Sequence, residues 1–294
     1  MASFLKNLFN SKKVDLVSST SRRDYLAQRE ARKALYEERE KLVADLAKQI
    51  GDTFDGYCAV CEKTVAFRVA KDPKNGTPWW RESFDCPECQ YCARMRALIH
   101  LYYPELKGNA TKRLYITEQI TPLYRWLKER LQDVVGSEWL GADVKPGEIR
   151  ADGVRHEDFT NLSFDSNSID YVLSFECLEH IPDYKAALRE AFRVLKPGGK
   201  LIMSAPFIRN LEKTLVRAEI SASGEIIHHE PPDYHGNPLD PQGSLCFYYF
   251  SFDLLDEIRA VGFKDVEVTE YWSKDYAYLG TVNLTYITAI KPNV

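Results

Sequence analysis

Two pairs of cysteines carry the plainest chemistry in the sequence. Cys58-x-x-Cys61 and Cys86-x-x-Cys89 are separated by 24 residues. A CxxC turn aims two thiolates at one ion, and two such turns complete a tetrahedral sulfur shell, the donor set of structural zinc. Pro87 suits a tight knuckle beside Cys86. Cys92 is a fifth candidate. Four sulfurs already fill a structural site, so Cys92 is a bystander, or a substitute should Cys89 face away. A catalytic zinc would need an open coordination position, which this pattern does not favour. Five of the seven cysteines lie between Cys58 and Cys92. In a chain without a secretory signal, such clustering reads as metal binding rather than disulfide bonding.

A second group of chemically able residues lies at His228-His229-Glu230-Pro231-Pro232-Asp233-Tyr234-His235-Gly236-Asn237-Pro238. Three histidines and a tyrosine give acid–base capacity near neutral pH. His228 and His229 are adjacent and point apart in an extended chain, so they do not read as a metal pair.

Three segments must position these groups. Residues 1–51 form a helical arm, with Ser21 able to cap a helix over Arg22–Gln49. Within it, Phe4, Leu5, Leu8 and Phe9 share a helical face near Lys6, Lys12 and Lys13. Weak contact with a membrane surface is one reading of that face; a frayed terminus is the preferred one. Residues 52–108 are the zinc-binding module, where Trp79-Trp80 is expected to pack the knuckle or to stack on a substrate. Residues 109–294 alternate strand and helix signals, as a doubly wound α/β sheet requires. Strands are expected at Leu114–Thr117, Asp133–Gly136, Gly153–Arg155, Ile169–Phe175, Lys200–Ala205, Val266–Tyr271 and Asn283–Ala289. Helices are expected at Leu123–Leu131, Tyr184–Leu195 and Leu254–Val261. Ile169–Phe175 is continuously apolar, as a strand buried on both faces must be.

Bulk properties narrow the function. The net charge is −4, but residues 1–50 hold 11 Lys/Arg against 7 Asp/Glu, so the remainder carries −8. An acidic body argues against a nucleic-acid partner. No apolar run approaches the roughly 20 residues of a transmembrane helix. The first ten residues lack the core of a secretory signal, which makes the cytoplasm the expected location.

The run Phe164-Asp165-Ser166-Asn167-Ser168-Ile169-Asp170-Tyr171-Val172-Leu173-Ser174-Phe175-Glu176-Cys177-Leu178-Glu179-His180-Ile181-Pro182-Asp183 resembles the fourth-strand region of class I S-adenosylmethionine (SAM) dependent methyltransferases. It continues through Ala187–Val194 into Leu195-Lys196-Pro197-Gly198-Gly199-Lys200-Leu201, similar to that family's helix, turn and fifth strand. The resemblance implies a Rossmann-like sheet with SAM as cofactor. Ligands of such sheets sit outside the carboxyl ends of the strands. On the resemblance, Glu138 would hold the ribose hydroxyls, Asp158 the adenine amino group, and Phe159 the adenine face. Ser174 and Phe175 would line the pocket floor, and His180 would be a structural or pocket-wall residue. Thr117-Glu118-Gln119 stands where the family has a glycine-rich loop, so the methionine end would be held differently. A subset of methyltransferase-like proteins shares this Thr-Glu-Gln strand end and an N-terminal cysteine knuckle.

The same resemblance makes residues from about 208 to 245 an insert after the fifth strand, which would cover the pocket as a lid. His235 is then the first candidate for a general base, with the ordinary histidine pKa of about 6.5, and His229 the second. A hydrogen-bonding role for both in the lid is the alternative. The expected function is methyl transfer to a small molecule or glycan, at oxygen. Another SAM-using reaction and a non-catalytic scaffold for a protein partner are the rival readings. A homodimer is compatible with the sequence.

Overall fold

The computed structural model describes residues 12–280 and 284–293. The apolar face Phe4–Phe9, and with it the expected membrane contact, lies outside the described residues. By its internal contacts the chain divides into two compact units. The first takes the described residues up to Val17, Ala27–Pro104 and the described part of Glu270–Leu284. The second takes Ser18–Leu26, Glu105–Thr269 and the end of the chain from Thr285.

In chain order, strand β1 is Asp15–Ser19, followed by helices α1 (Arg22–Ala31) and α2 (Lys33–Gln49). Strands β2 (Thr53–Cys58) and β3 (Lys63–Arg68) precede helix α3 (Ala93–Gly108). Then come β4 (Arg113–Ile116), α4 (Pro122–Lys128), β5 (Asp133–Gly136), β6 (Ile169–Phe175), a 3-10 turn at Leu178–His180, α5 (Tyr184–Val194) and β7 (Leu195–Ser204). Six short strands follow: β8 (Leu215–Val216), β9 (Ala218–Ile220), β10 (Ile226–His228), β11 (Tyr234–Asn237), β12 (Asp240–Leu245) and β13 (Tyr248–Tyr249). Helix α6 (Asp253–Val261), β14 (Lys264–Trp272) and β15 (Thr285–Ile290) complete the order.

The first unit is built around the β2–β3 hairpin, whose six pairs run from Thr53↔Arg68 to Cys58↔Lys63. Its core contains Phe67, Phe84 and the fully buried Arg96. Burying a guanidinium is costly unless its donors find partners. Arg96 donates to the carbonyls of Tyr276 (2.8 Å) and Phe84 (3.1 Å), and its cation lies 3.8 Å from the centre of the Phe67 ring. Trp80 stacks on Phe84, while Trp79 is half exposed. The expected single arm helix is broken at Arg32. The break turns Arg32 and Arg39 toward one carboxylate, and both donate to Asp15 at 2.6–2.7 Å. Ser21 does cap, accepting from Asp24 N at 3.1 Å.

The second unit contains most of a seven-stranded sheet with order β1-β14-β15-β7-β6-β4-β5. The pairs β4/β5, β4/β6 and β6/β7 are parallel, and β15 runs antiparallel to β7. This is the Rossmann-like α/β sheet that the resemblance implied. Crossovers in opposite directions leave β4 and β6 as neighbours, so the strand order reverses between them. The expected strand at Gly153–Arg155 is reduced to bridges, Ile149↔Arg155 and Glu138↔His156. β1 and α3 were not legible as elements, α3 in part because Pro104 lies inside it. The segment expected to form a lid folds into paired strands, β8 with β13, β9 with β10, and β11 with β12.

Candidate functional site

The four cysteines come together as their spacing predicts. Cys58 ends β2, Cys61 lies in the hairpin turn, and Cys86 and Cys89 lie in the loop before α3. Their sulfurs all lie within 4.8 Å of one another. Cys58 to Cys89 and Cys61 to Cys86 are each 3.8 Å. Two sulfurs of a tetrahedral Zn–S₄ shell with bonds of about 2.3 Å stand roughly 3.8 Å apart, so the donor set fits that ion. Cys92 points elsewhere, toward Glu82 Oε2 at 3.8 Å. Burial raises its thiol pKa.

In the second unit, the ends of β4, β5 and β6 define the strand-end site. Glu138 follows β5 and its Oε1 accepts from the backbone N–H groups of Gln119 (2.7 Å) and Ile120 (2.9 Å). One oxygen thus clamps the loop after β4, and the other makes no hydrogen bond among the described residues. The side chain of Gln119 bridges to the next segment, accepting from Arg155 N (2.7 Å) and donating to Gly153 O (2.9 Å). An amide side chain therefore supplies pairing where a third strand was expected. Close backbone approach at this loop comes from the neighbouring strand. A Cβ at Gly136 would stand 2.5 Å from Glu118 O and 2.6 Å from the Tyr124 ring.

Thr117 Oγ1 donates to the buried Ser174 at 3.3 Å. Phe175 is buried and packs edge-on to Tyr286. Asp158 accepts from Thr160 N (2.8 Å) and Thr160 Oγ1 (2.7 Å) with its Oδ1, which fixes a local turn. Phe159 is only 7% exposed and packs on Tyr115, so it belongs to the core as it stands. Glu157 was not singled out from the sequence, yet its side chain is fully buried. It is satisfied by Arg155 Nε (2.7 Å), Ser163 N (2.8 Å) and Ser163 Oγ (2.6 Å). Cys177, also not singled out, has its thiol pushed up to about 12 by burial and then by Glu179, so it is a thiol rather than a nucleophile at neutral pH.

The two candidate bases part company. His229 is largely exposed and faces Glu219 at 3.5 Å. His235 lies on β11 against the 3-10 turn that follows β6. Its Nδ1 is 3.5 Å from Glu179 Oε1 and its Nε2 is 3.5 Å from Asp233 Oδ2. Cys246, then Glu179, push its pKa up to about 10, against the opposing effect of burial. The ordinary histidine pKa expected from the sequence is therefore displaced. Two carboxylates thus face its two ring nitrogens. His180, expected as a wall residue, stands beside it with ring centres 5.0 Å apart.

Comparison with known proteins follows the same lines. Residues 123–203 match the family model described as a methyltransferase domain. A stretch of 154 residues is 28% identical to a demethylmenaquinone methyltransferase of Staphylococcus carnosus, covering 47% of this chain and 61% of that one. A stretch of 47 residues is 53% identical to the protein of the same name from Staphylococcus epidermidis, covering 16% of this chain and 20% of that one. The chain thus spans between about a fifth and three-fifths of the length of these relatives. Among solved structures, a SAM-dependent methyltransferase from Mesorhizobium loti is similar at 16% identity and a TM-score of 0.41, over 64% of this chain and 97% of that one. Residues 123–203, from α4 to β7, are thus similar to a methyltransferase domain, within a sheet of Rossmann-like order.

Proposed function

We propose that the protein is a SAM-dependent methyltransferase of the cytoplasm, acting at an oxygen of a small molecule or glycan. One observation supports this most. Glu138 stands just past the end of β5, next to the strand-order reversal, with one carboxylate oxygen holding the β4 loop and the other open. That is where such sheets bind ligands, and an acid there suits vicinal hydroxyls. Thr117, Glu118 and Gln119 would border the methionine end, Asp158 and Phe159 the adenine, and Ser174 and Phe175 the floor. The curated relatives are named for a small-molecule acceptor, which favours that class. SAM, when bound there, would supply the methyl group to the acceptor oxygen. The carboxylates of Glu179 and Asp233, which flank His235, would take up the proton the acceptor loses. Positioning supplies much of the rate, and the paired strands around His235 are the natural acceptor side. Zinc on Cys58, Cys61, Cys86 and Cys89 would hold the first unit together without entering the chemistry.

Isothermal titration of the full chain with SAM and with its demethylated product tests the cofactor. The expected outcome is saturable binding of both, at one site per chain. Absence of binding by either would overturn the enzymatic reading and leave a scaffold.

A further inference from the structure

Glu179 is the one carboxylate among the described residues that is completely buried with both oxygens lacking a hydrogen bond. An unpaired buried carboxylate is costly. Two histidines face it without closing that gap. His180 Nε2 stands 3.7 Å from Glu179 Oε1, and His235 Nδ1 stands 3.5 Å from the same atom. One donor atom from each of the three lies within 4.8 Å of the others. These distances are long for direct hydrogen bonds. They match the roughly 3.4 Å separating two ligands of a tetrahedral ion with bonds near 2.05 Å.

The surroundings orient both rings toward Glu179. His180 Nδ1 lies 2.8 Å from the carbonyl of Leu245. A carbonyl only accepts, so Nδ1 carries a proton and a neutral ring turns its lone pair on Nε2 toward Glu179. His235 presents Nε2 to Asp233, and Asp233 is held in turn by the Tyr249 hydroxyl. A carboxylate or carbonyl behind the distal ring nitrogen is the usual support of a metal-bound histidine. Main-chain bonds lock the pieces together, Phe247 N to Glu179 O and Cys246 N to Asp233 O, each 2.8 Å. Glu176, at the end of β6, adds a further negative charge near Glu179.

We propose that Glu179, His180 and His235 form a binding site for a divalent transition-metal ion of the zinc class, separate from the cysteine centre. Two imidazoles and one carboxylate suit such an ion better than calcium or magnesium, which take oxygen shells. Three protein ligands leave coordination positions open, as catalytic rather than structural sites do. The ion's partner there would be water or an oxygen of a small molecule. Cys246 shares a second triangle with Asp233 and His235, but its thiol is directed to the Tyr248 carbonyl at 3.3 Å. The site stands without the methyl-transfer reading, because its donors converge with no cofactor present.

The test is a titration of the full-length protein, first loaded with one equivalent of zinc, using Co²⁺ followed by visible absorption and by calorimetry. The expected result is one further equivalent, with the weak bands of a nitrogen–oxygen site and no new sulfur charge-transfer band. Glu179→Gln and His235→Ala should each weaken that uptake at least tenfold, while zinc on the cysteines stays. Cys246→Ser should bind as the parent does. Failure of the parent to take a second equivalent would overturn the site. So would uptake unchanged in both variants, or uptake lost in Cys246→Ser.

Discussion

The cysteine centre and the Glu179–His235 cluster show two ways of bringing ligating side chains together. In the first, each half is local: Cys58 with Cys61 and Cys86 with Cys89 are fixed by a single turn each. The fold has only to join two knuckles, which the β2–β3 hairpin and the loop before α3 do. In the second, nothing is local beyond Glu179 and His180. His235 arrives from a hairpin far along the chain, and Asp233, Leu245 and Tyr249 arrive with it. The lesson concerns robustness. A site made of short motifs survives changes in its surroundings, whereas a site made by docked loops depends on every hydrogen bond that docks them.

The largest expected effect is at the cysteines. Cys86→Ser should release the metal, detected by elemental analysis, and should abolish cooperative unfolding of the first unit. Structural zinc contributes on the order of 10–16 kcal/mol in small zinc peptides, more than a domain's usual net stability. Cys92→Ser should keep the metal. Retention of stoichiometric zinc by Cys86→Ser would erase the contrast between the two regions.

Next comes His235. His235→Ala should lower turnover by about 10²–10⁴-fold, the usual range for a group that handles a proton, with SAM affinity intact by calorimetry. His229→Ala, on the exposed β10 end, should leave turnover within a few fold. If only the acceptor KM rises in His235→Ala, the residue binds the acceptor and does not serve the chemical step.

Glu138 is a smaller test that asks which oxygen matters. Glu138→Ala should weaken SAM by about 1–3 kcal/mol and loosen the Thr117–Ile120 loop as well. Glu138→Gln keeps an acceptor for Gln119 N and Ile120 N while losing the charge. Amide exchange at those two residues should therefore rise in the alanine variant alone.

The smallest effect is expected at Asp170, where β6 begins. Burial opposes its ionisation, but Lys196 Nζ at 2.6 Å, Arg113 N at 3.0 Å and Lys112 Nζ at 3.3 Å lower its pKa overall. A lowered carboxylate pKa stabilises the fold above the unfolded value of about 3.9 and loses that contribution as pH falls through the folded value. Asp170→Asn should cost about 1–2 kcal/mol at neutral pH. Its melting temperature should run parallel to the parent's from pH 5 to 8 and converge only below about pH 4. Convergence near neutrality would contradict the assignment.

The sequence by itself determined what is set over a few residues. The CxxC spacing picked out the four cysteines whose sulfurs converge and set Cys92 aside. The unbroken apolar run of Ile169–Phe175 marked a strand buried on both faces. The amphipathic α5 and the Pro197-Gly198-Gly199 passage into β7 located the methyltransferase-like core, because periodicity and backbone freedom act at short range. Only tertiary structure decided the rest. β1 pairs in the sheet although Asp15–Ser19 alternates too briefly to be read. Gly153–Arg155 stays a set of bridges because the Gln119 side chain takes up its main-chain groups. Glu157 is buried beside Asp158, a difference that adjacent acids cannot declare. His235 and His229 look alike in sequence, and they differ only because one hairpin docks on the end of β6 and the other faces solvent. Long-range packing sets the burial and charge around each imidazole, and that environment is what separates a ligand or base from a surface residue.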